Sequence, residues 1–364
     1  MKKPILPQNK GTGALPSPDD YRDGIAALAI APDPKKLPAR YAADLSKMPV
    51  YDQMQQLSCV SNTIALELTL YWYRKTGKII PFSPRFLDIM AKRFDGLGDK
   101  RLTAGTWARI VLKVAAKYGC ATQKTVPDVP SVSILEYRDD AVITSKSLVE
   151  AEQYKIPGYV RIPTGTESLR AFLRVFEGVS VAFFVGEELY TGYDGVVSFD
   201  PAKISPLRPP KKISNGHQMF VYGWDADYNI VRNSWGRQWC SDGNALYAPS
   251  AWDPFTMEAW TIAEIPDDVK LLLSNLPAPT DFRYQWQSNL QLGDFNEDVK
   301  FLQIAYMILG LMDPVPPDQL GYFGAKTMAA NGKYQRIKGV PVKDLSPANC
   351  GRITRGYLNE DFGV

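Results

Sequence analysis

The 364 residues carry 42 Lys and Arg against 39 Asp and Glu, a net charge of +3 dispersed in both signs, so neither a basic tract for nucleic acid nor an acidic disordered tail is present. No run of ~18 apolar residues spans a bilayer, and Met1-Lys2-Lys3-Pro4-Ile5-Leu6 has no apolar stretch behind its lysines, so it does not read as a secretory leader. The expectation is therefore a two- or three-domain chain with no nucleic-acid or membrane partner, cytoplasmic or exported by a non-classical route unless a leader has been lost.

Residues 1–49 contain eight prolines and little periodicity, which favours an extended strap over residues 1–48 rather than an independent helix or strand. Two readings of the strap stand open: a prosegment running over a cleft, or an inert structural arm. The polar run Tyr51-Asp52-Gln53-Met54-Gln55-Gln56-Leu57-Ser58 then leads into Cys59 and an apolar stretch with Val60, Ile64, Leu68 and Trp72 at four-residue spacing. That pattern predicts a buried helix ending at Gly77. Cys59 falls in its first turn, where free N–H groups and the helix dipole favour a thiolate. On this ground alone Cys59 is either a small core residue or a nucleophile.

Ser83-Pro84 predicts the N-cap and first residue of a second helix. Residues 106–119 predict a third, with Trp107, Ile110, Val111 and Val114 on its apolar face and Gly119 as terminator. From there the texture becomes β-like. Strands are predicted at 180–185, 218–223, 228–232 and 257–262, with Asp225-Ala226-Asp227 as a tight connection. The proline-rich stretch Pro206 to Lys212 reads as a solvated loop or as a border of the cleft. His217 is the one histidine of the chain, and Asn233 follows sixteen residues later in Asn233-Ser234-Trp235-Gly236. Four cysteines make no disulfide framework. Cys120, Cys240 and Cys350 read as structural thiols, with a Cys120–Cys240 pairing left open, and no metal or cofactor site is expected.

The order Gln53, Cys59, His217, Asn233, with Gly-His opening one strand and Asn-Ser-Trp-Gly closing the next, resembles the papain-like (C1) cysteine peptidases over about residues 49–265. Met54, Gln56 and Leu57 replace the usual glycines and extra cysteine before the nucleophile, and Val60 replaces the aromatic after it, so the chain looks more like the divergent bacterial branch. The resemblance implies an α+β fold of two lobes, helical over about 49–155 and a β-barrel over about 156–266, with the cleft between. It implies a protein or peptide substrate and no cofactor. The chemistry suits the residues: a thiol needs an imidazole to take its proton, and Asn233 accepts from the far ring N–H and fixes the tautomer. The Cys59 backbone N–H and the Gln53 amide would stabilise the oxyanion, a donor typically worth ~3 kcal/mol. Trp235 would shield the His217–Asn233 bond, with Ser58 as a supporting neighbour.

Residues 267–290 read as a linker, with Leu276-Pro277-Ala278-Pro279 at its centre. In 291–364, Val299-x-x-Leu302-Gln303 followed by Phe323-Gly324-x-Lys326-Thr327 and Tyr334-Gln335 is similar to the peptidoglycan-binding-like domain, a small three-helix module. Asn296 is the expected cap of its first helix and Gly310 the stop, while Asn331-Gly332 weakens the second. Three readings follow: a general endopeptidase with a docking or packing tail, a cell-wall peptidase targeted to peptidoglycan or another polymer, and a non-catalytic papain-like binder. The intact Gln, Cys, His, Asn set argues against the third, and the absence of a second histidine favours protein substrates over stem peptides.

Overall fold

In the computed structural model, residues 10–33, 37–98, 102–184, 196–197, 216–248, 252 and 255–363 are described. The chain forms two compact units, Met1–Ser17 with Ala31–Glu264, and Pro18–Ile30 with Ile265–Val364. In chain order the first elements are β1 (Ala14–Leu15), α1 (Tyr21–Ala29), β2 (Arg40–Ala42), α2 (Cys59–Thr76), α3 (Pro84–Lys92), β3 (Thr106–Trp107) and α4 (Ala108–Lys117). There follow α5 (Ile134–Tyr137), α6 (Ser145–Glu152), β4 (Tyr159–Ile162), α7 (Thr166–Phe176), β5 (Val179–Phe184), β6 (Val196–Val197), β7 (Gly216–Asp225) and β8 (Tyr228–Arg232). The rest are β9 (Asn244–Tyr247), β10 (Thr256–Ile262), α8 (Asp267–Asn275), β11 (Leu290–Gln291), α9 (Glu297–Ile308), α10 (Ala325–Ile337), β12 (Asn349–Cys350) and α11 (Arg352–Phe362).

In the larger unit, α2 is buried on every side from Cys59 to Leu70, as its apolar sequence requires, and Gly77 closes it in the left-handed conformation. Helices α3 and α4 pack on it. Ser83 caps α3 by accepting from the Phe86 N–H at 3.0 Å, with Pro84 as the first helical residue. A curled sheet in the order β4-β10-β5-β7-β8-β9-β6 makes the other half, with β1 and β2 pairing on β7 and β3 on β1. Helix and sheet are stapled by Glu67 of α2, whose carboxylate accepts from the Ile262 N–H at 2.7 Å and from the Ser180 hydroxyl. Burial lifts that carboxyl to about 7.

The structure departs from the sequence reading at several points. Residues 21–29 form a helix, where the prolines favour extended chain; Asp20 caps it, and Tyr21 and Ile25 are buried in the core of the smaller unit. Trp107 is the extended N-cap of α4 rather than part of its apolar face, and Leu112 and Ala115 complete the buried stripe instead. The stretch read as a linker contains α8, started by Pro266 and two aspartates in the first turn. Strands β4 and β9 were not signalled, being short and only half apolar. All four cysteines are free thiols, so Cys120 and Cys240 are not paired. Pro206 to Lys212 lies outside the described residues.

The smaller unit gathers α1, α8, α9, α10 and α11 around Phe282, Trp286, Leu302, Tyr306 and Phe323. Asn296 caps α9, accepting from the Val299 N–H at 2.9 Å. Helix α10 runs unbroken through Asn331-Gly332. Asn331 accepts from the Tyr306 hydroxyl at 2.7 Å and donates to Pro347 and Asn349 carbonyls, so the polar residue is a buried bridge.

Candidate active site

Three backbone segments converge around the first turn of α2. Residues 51–53 pair with residues 234–236: the Gln53 N–H donates to the Ser234 carbonyl at 2.8 Å and the Gly236 N–H to the Tyr51 carbonyl at 2.9 Å. The Ser234 hydroxyl donates to Gln53 Oε1 at 2.6 Å. The Thr63 hydroxyl of α2 donates to the Gln218 carbonyl at 3.0 Å, fixing α2 against β7 one residue past His217. These contacts bring Gln53, Cys59, His217, Asn233 and Trp235 to one place from four elements.

His217 Nε2 lies 2.7 Å from Asn233 Oδ1. The same oxygen accepts from the Ser234 N–H at 2.7 Å, so Asn233 offers its carbonyl and the ring donates from Nε2. That leaves His217 Nδ1 with no hydrogen-bond partner and free to act as an acceptor. Trp235 covers the ring, with centroids 4.7 Å apart and planes tilted by 34°. Ser58 begins α2 without a side-chain cap bond, and its hydroxyl accepts from the Asn62 amide at 3.1 Å.

The site is covered by the chain's own N-terminal segment. Gly11 donates its N–H to the Met54 carbonyl at 2.7 Å and its carbonyl accepts from Gln53 Nε2 at 3.0 Å and Trp235 Nε1 at 3.2 Å. The Gly13 N–H donates to the Gly216 carbonyl and its carbonyl accepts from the Thr106 N–H, both at 2.9 Å. Ala14 then pairs with Thr106 in parallel and with Gly216 in antiparallel fashion. At Ser17 the segment is pinned by two bonds to the buried Glu258 carboxylate, 2.9 and 3.1 Å long. A Cβ on Gly11 would stand 2.1 Å from the Gln56 carbonyl oxygen, and one on Gly13 2.4 Å from that of Leu57. Only glycine lets the strap lie this close, a role that its proline content did not signal.

Cys59 and His217 are both fully buried under it, at 0 % exposure. Burial pushes the Cys59 thiol up to about 11, although the N–H groups of Gln218, Gly13 and Val60 pull it partway back. Burial holds His217 down at about 4 against the opposing effect of Asn233. Between those values Cys59 is held as a neutral thiol and His217 as a neutral imidazole with no hydrogen bond to its Nδ1, where the sequence reading expects a thiolate and an imidazolium. The Gln53 amide, the expected oxyanion donor, is engaged by Gly11 and by the Gln56 carbonyl at 2.7 Å. Among the described residues, no group of three or more His, Cys, Asp or Glu is arranged to hold a metal ion, and no helix is long and apolar enough to cross a membrane.

The family model for papain family cysteine proteases matches residues 48–251. Cathepsin L2 of Homo sapiens is 25% identical over 202 residues, covering 54% of this chain and 55% of its own length. A cathepsin L-like peptidase of Aedes aegypti is 28% identical over 199 residues, 54% of this chain and 53% of the relative. The chain thus spans about half the length of the curated relatives it matches. Among solved structures, xylellain, a cysteine protease from Xylella fastidiosa, superposes with a TM-score of 0.59 at 21% identity, covering 71% of this chain and 98% of that one. The helical half and curled sheet described above therefore make a papain-like two-lobe α+β fold.

Proposed function

Because the chain belongs to the papain family of cysteine proteases, we propose that it hydrolyses peptide bonds in protein or peptide substrates, with Cys59 as nucleophile and His217 as acid and base. The proton of the thiol passes to His217 Nδ1 as sulfur bonds to the substrate carbonyl carbon. The C–N bond then breaks, the amine takes the proton from His217, and a thioester remains on Cys59. Water attacks that thioester with His217 again as base, releasing the acid and the thiol. Asn233 orients the ring, Trp235 shields it, and the Cys59 N–H and Gln53 Nε2 face the oxyanion. The observation that carries this reading is the 2.7 Å His217–Asn233 contact together with an unpartnered Nδ1, in a strand that the nucleophile's helix holds at the very next residue through the Thr63–Gln218 bond.

In this reading residues 10–17 are a built-in inhibitor: they occupy the Gln53 donor, exclude water and neutralise the pair. The role requires the strap to leave before substrate enters. Once the cleft is open, Gln53→Ala is expected to lower kcat on a fluorogenic peptide by about 10²–10³-fold. Asn233→Ala should cost less than alanine at 59 or 217, because it orients and does not react. Equal kcat in all four variants and the parent would contradict the assignment.

For the smaller unit, binding to peptidoglycan or another polymer is a second reading. The residues that carry the motif do not favour it: Gln303 is buried and serves the Gln319 and Tyr322 carbonyls and the Gly321 N–H, a folding role. What favours it is an exposed aromatic pair, Phe295 and Tyr322, joined by a backbone bridge, with Tyr322 on the wall of a cavity of about 310 Å³. Such faces stack on sugar rings. Retention of the full chain on purified peptidoglycan, lost in a Phe295→Ala, Tyr322→Ala variant, is the expected result; no retention would leave the unit a packing module.

A further inference from the structure

The strap shows which backbone groups an extended peptide meets in the cleft. On one side it finds the Gly216 carbonyl, held by the sheet. On the other it finds the Thr106 N–H, at the end of a loop that, among the described residues, pairs with no strand except the strap. Something else must hold that loop when the strap is gone.

Two buried cations do so. Arg138 pairs through Nε and Nη2 with Asp88, at 2.7 and 3.4 Å, and neither side chain is accessible. Its Nη1 donates to the carbonyls of Leu102 and Ala104, at 3.1 and 2.8 Å. Lys92 pairs with Asp95 at 3.0 Å and donates to the Gly105 carbonyl. Three of the four carbonyls preceding Thr106 are thereby turned inward onto positive charge, and the Thr106 N–H faces the cleft. Asp88 also accepts from the Ser61 hydroxyl, 3.5 Å away in the first turn of α2. The ledge and the nucleophile's helix therefore share one carboxylate.

We propose that Arg138, with Lys92 in support, is a positioning residue for peptide substrates: it sets the height of the Thr106 ledge against Cys59. A stability role alone would be met by an apolar pair of the same volume, since a buried ion pair is weak as a stabiliser. Here the charge supplies what an apolar pair lacks, donors in a rigid fork that reach a carboxylate and two carbonyls at once. The inference rests on Cys59 being the nucleophile.

The test uses this chain carrying Gly13→Val, chosen to open the cleft through its clash with the Leu57 carbonyl, with and without Arg138→Lys. Lysine keeps the charge beside Asp88 but cannot span Asp88 and both carbonyls. KM for an extended peptide is expected to rise about ten-fold or more with kcat within about three-fold, the signature of lost binding. Alkylation of Cys59 by iodoacetamide, which needs no ledge, should keep its rate. In the chain with the native strap, the Thr106 amide should exchange with deuterium about ten-fold faster. Unchanged KM with unchanged Thr106 exchange would overturn the proposal. So would an alkylation rate that falls in step with turnover, which would make Arg138 a support of the fold. A parent with neither labelling nor turnover would instead sink the Cys59 assignment, and Thr106 exchange would still decide the ledge. If Arg138→Lys fails to fold, Lys92→Met with Asp95→Asn, a neutral replacement of the second pair, is judged by the same readouts and the same outcomes.

Discussion

Alanine at Cys59 or at His217 is expected to abolish peptide hydrolysis while the protein stays folded. In peptidases that use a nucleophile and its base as a unit, removing either costs about 10⁶-fold in kcat, because neither works without the other. Both side chains are buried, so folding must be checked beside activity. Cys59 sits at the helix start, where the body of α2 and its staples at Thr63 and Glu67 remain. His217 lies in β7, paired with Phe183 of β5, and β8 holds the same strand from Phe220 onward. Near-native melting with no turnover is the expected pair of results. Full activity in either variant, measured with the cleft open, would remove the assignment.

Gly13→Val is expected to raise turnover by about 100-fold. The added Cβ has nowhere to go but into the Leu57 carbonyl, 2.4 Å away, so the strap loses its seat at Gly11 and Gly13. Its three backbone–backbone hydrogen bonds there, at ~1 kcal/mol each, convert to roughly two decades in the open fraction. A substitution is cleaner than truncation at residue 45, which would also take Tyr21 and Ile25 out of the smaller unit's core. Cleaved peptide per minute, wild type against Gly13→Val, decides it: equal rates would mean that the strap is an inert arm. The pH dependence should move as well. Under the strap, burial sets the thiol at about 11 and the imidazole at about 4, so reactivity climbs only as the pH rises toward the thiol's value. With the strap out, water returns and each charge supports the other, lowering the thiol and raising the imidazole, so reactivity appears in mild acid.

Much of this site is legible in the residues, and what is not has a common cause. Helix α2 is legible from the apolar run around Cys59 and from its stop at Gly77 because these signals are local. His217 and Asn233 stand out by scarcity and by the Asn-Ser-Trp-Gly turn. A strap over the cleft is one of the two sequence readings, but its strand pairing is not legible, because Ala14–Leu15 is a two-residue strand whose only meaning is its pairing with Thr106 and Gly216, about ninety and two hundred residues away. Trp107 was drawn into a helix face for the same reason: its apolarity serves a strand beside Leu15. Helix α1 hid among prolines, since nothing local says that Tyr21 and Ile25 belong with Phe282 and Trp286. The charges under the ledge were invisible too. A sequence shows Asp88 and Arg138 as two of many ionic residues, and only the fold makes them a pair.

If Cys59 is a nucleophile activated by His217 and silenced by the strap, its reactivity toward thiol reagents must follow both. Intact mass after brief exposure to iodoacetamide or an epoxysuccinyl reagent tests it most directly, across pH, in wild type, Gly13→Val and Gly13→Val with His217→Ala. The prediction is slow labelling of the wild type that rises with alkaline pH, fast single-site labelling of Gly13→Val in mild acid, and loss of that fast phase without His217. Labelling of all three chains with the same ordinary thiol pH dependence would contradict both the activation and the latch.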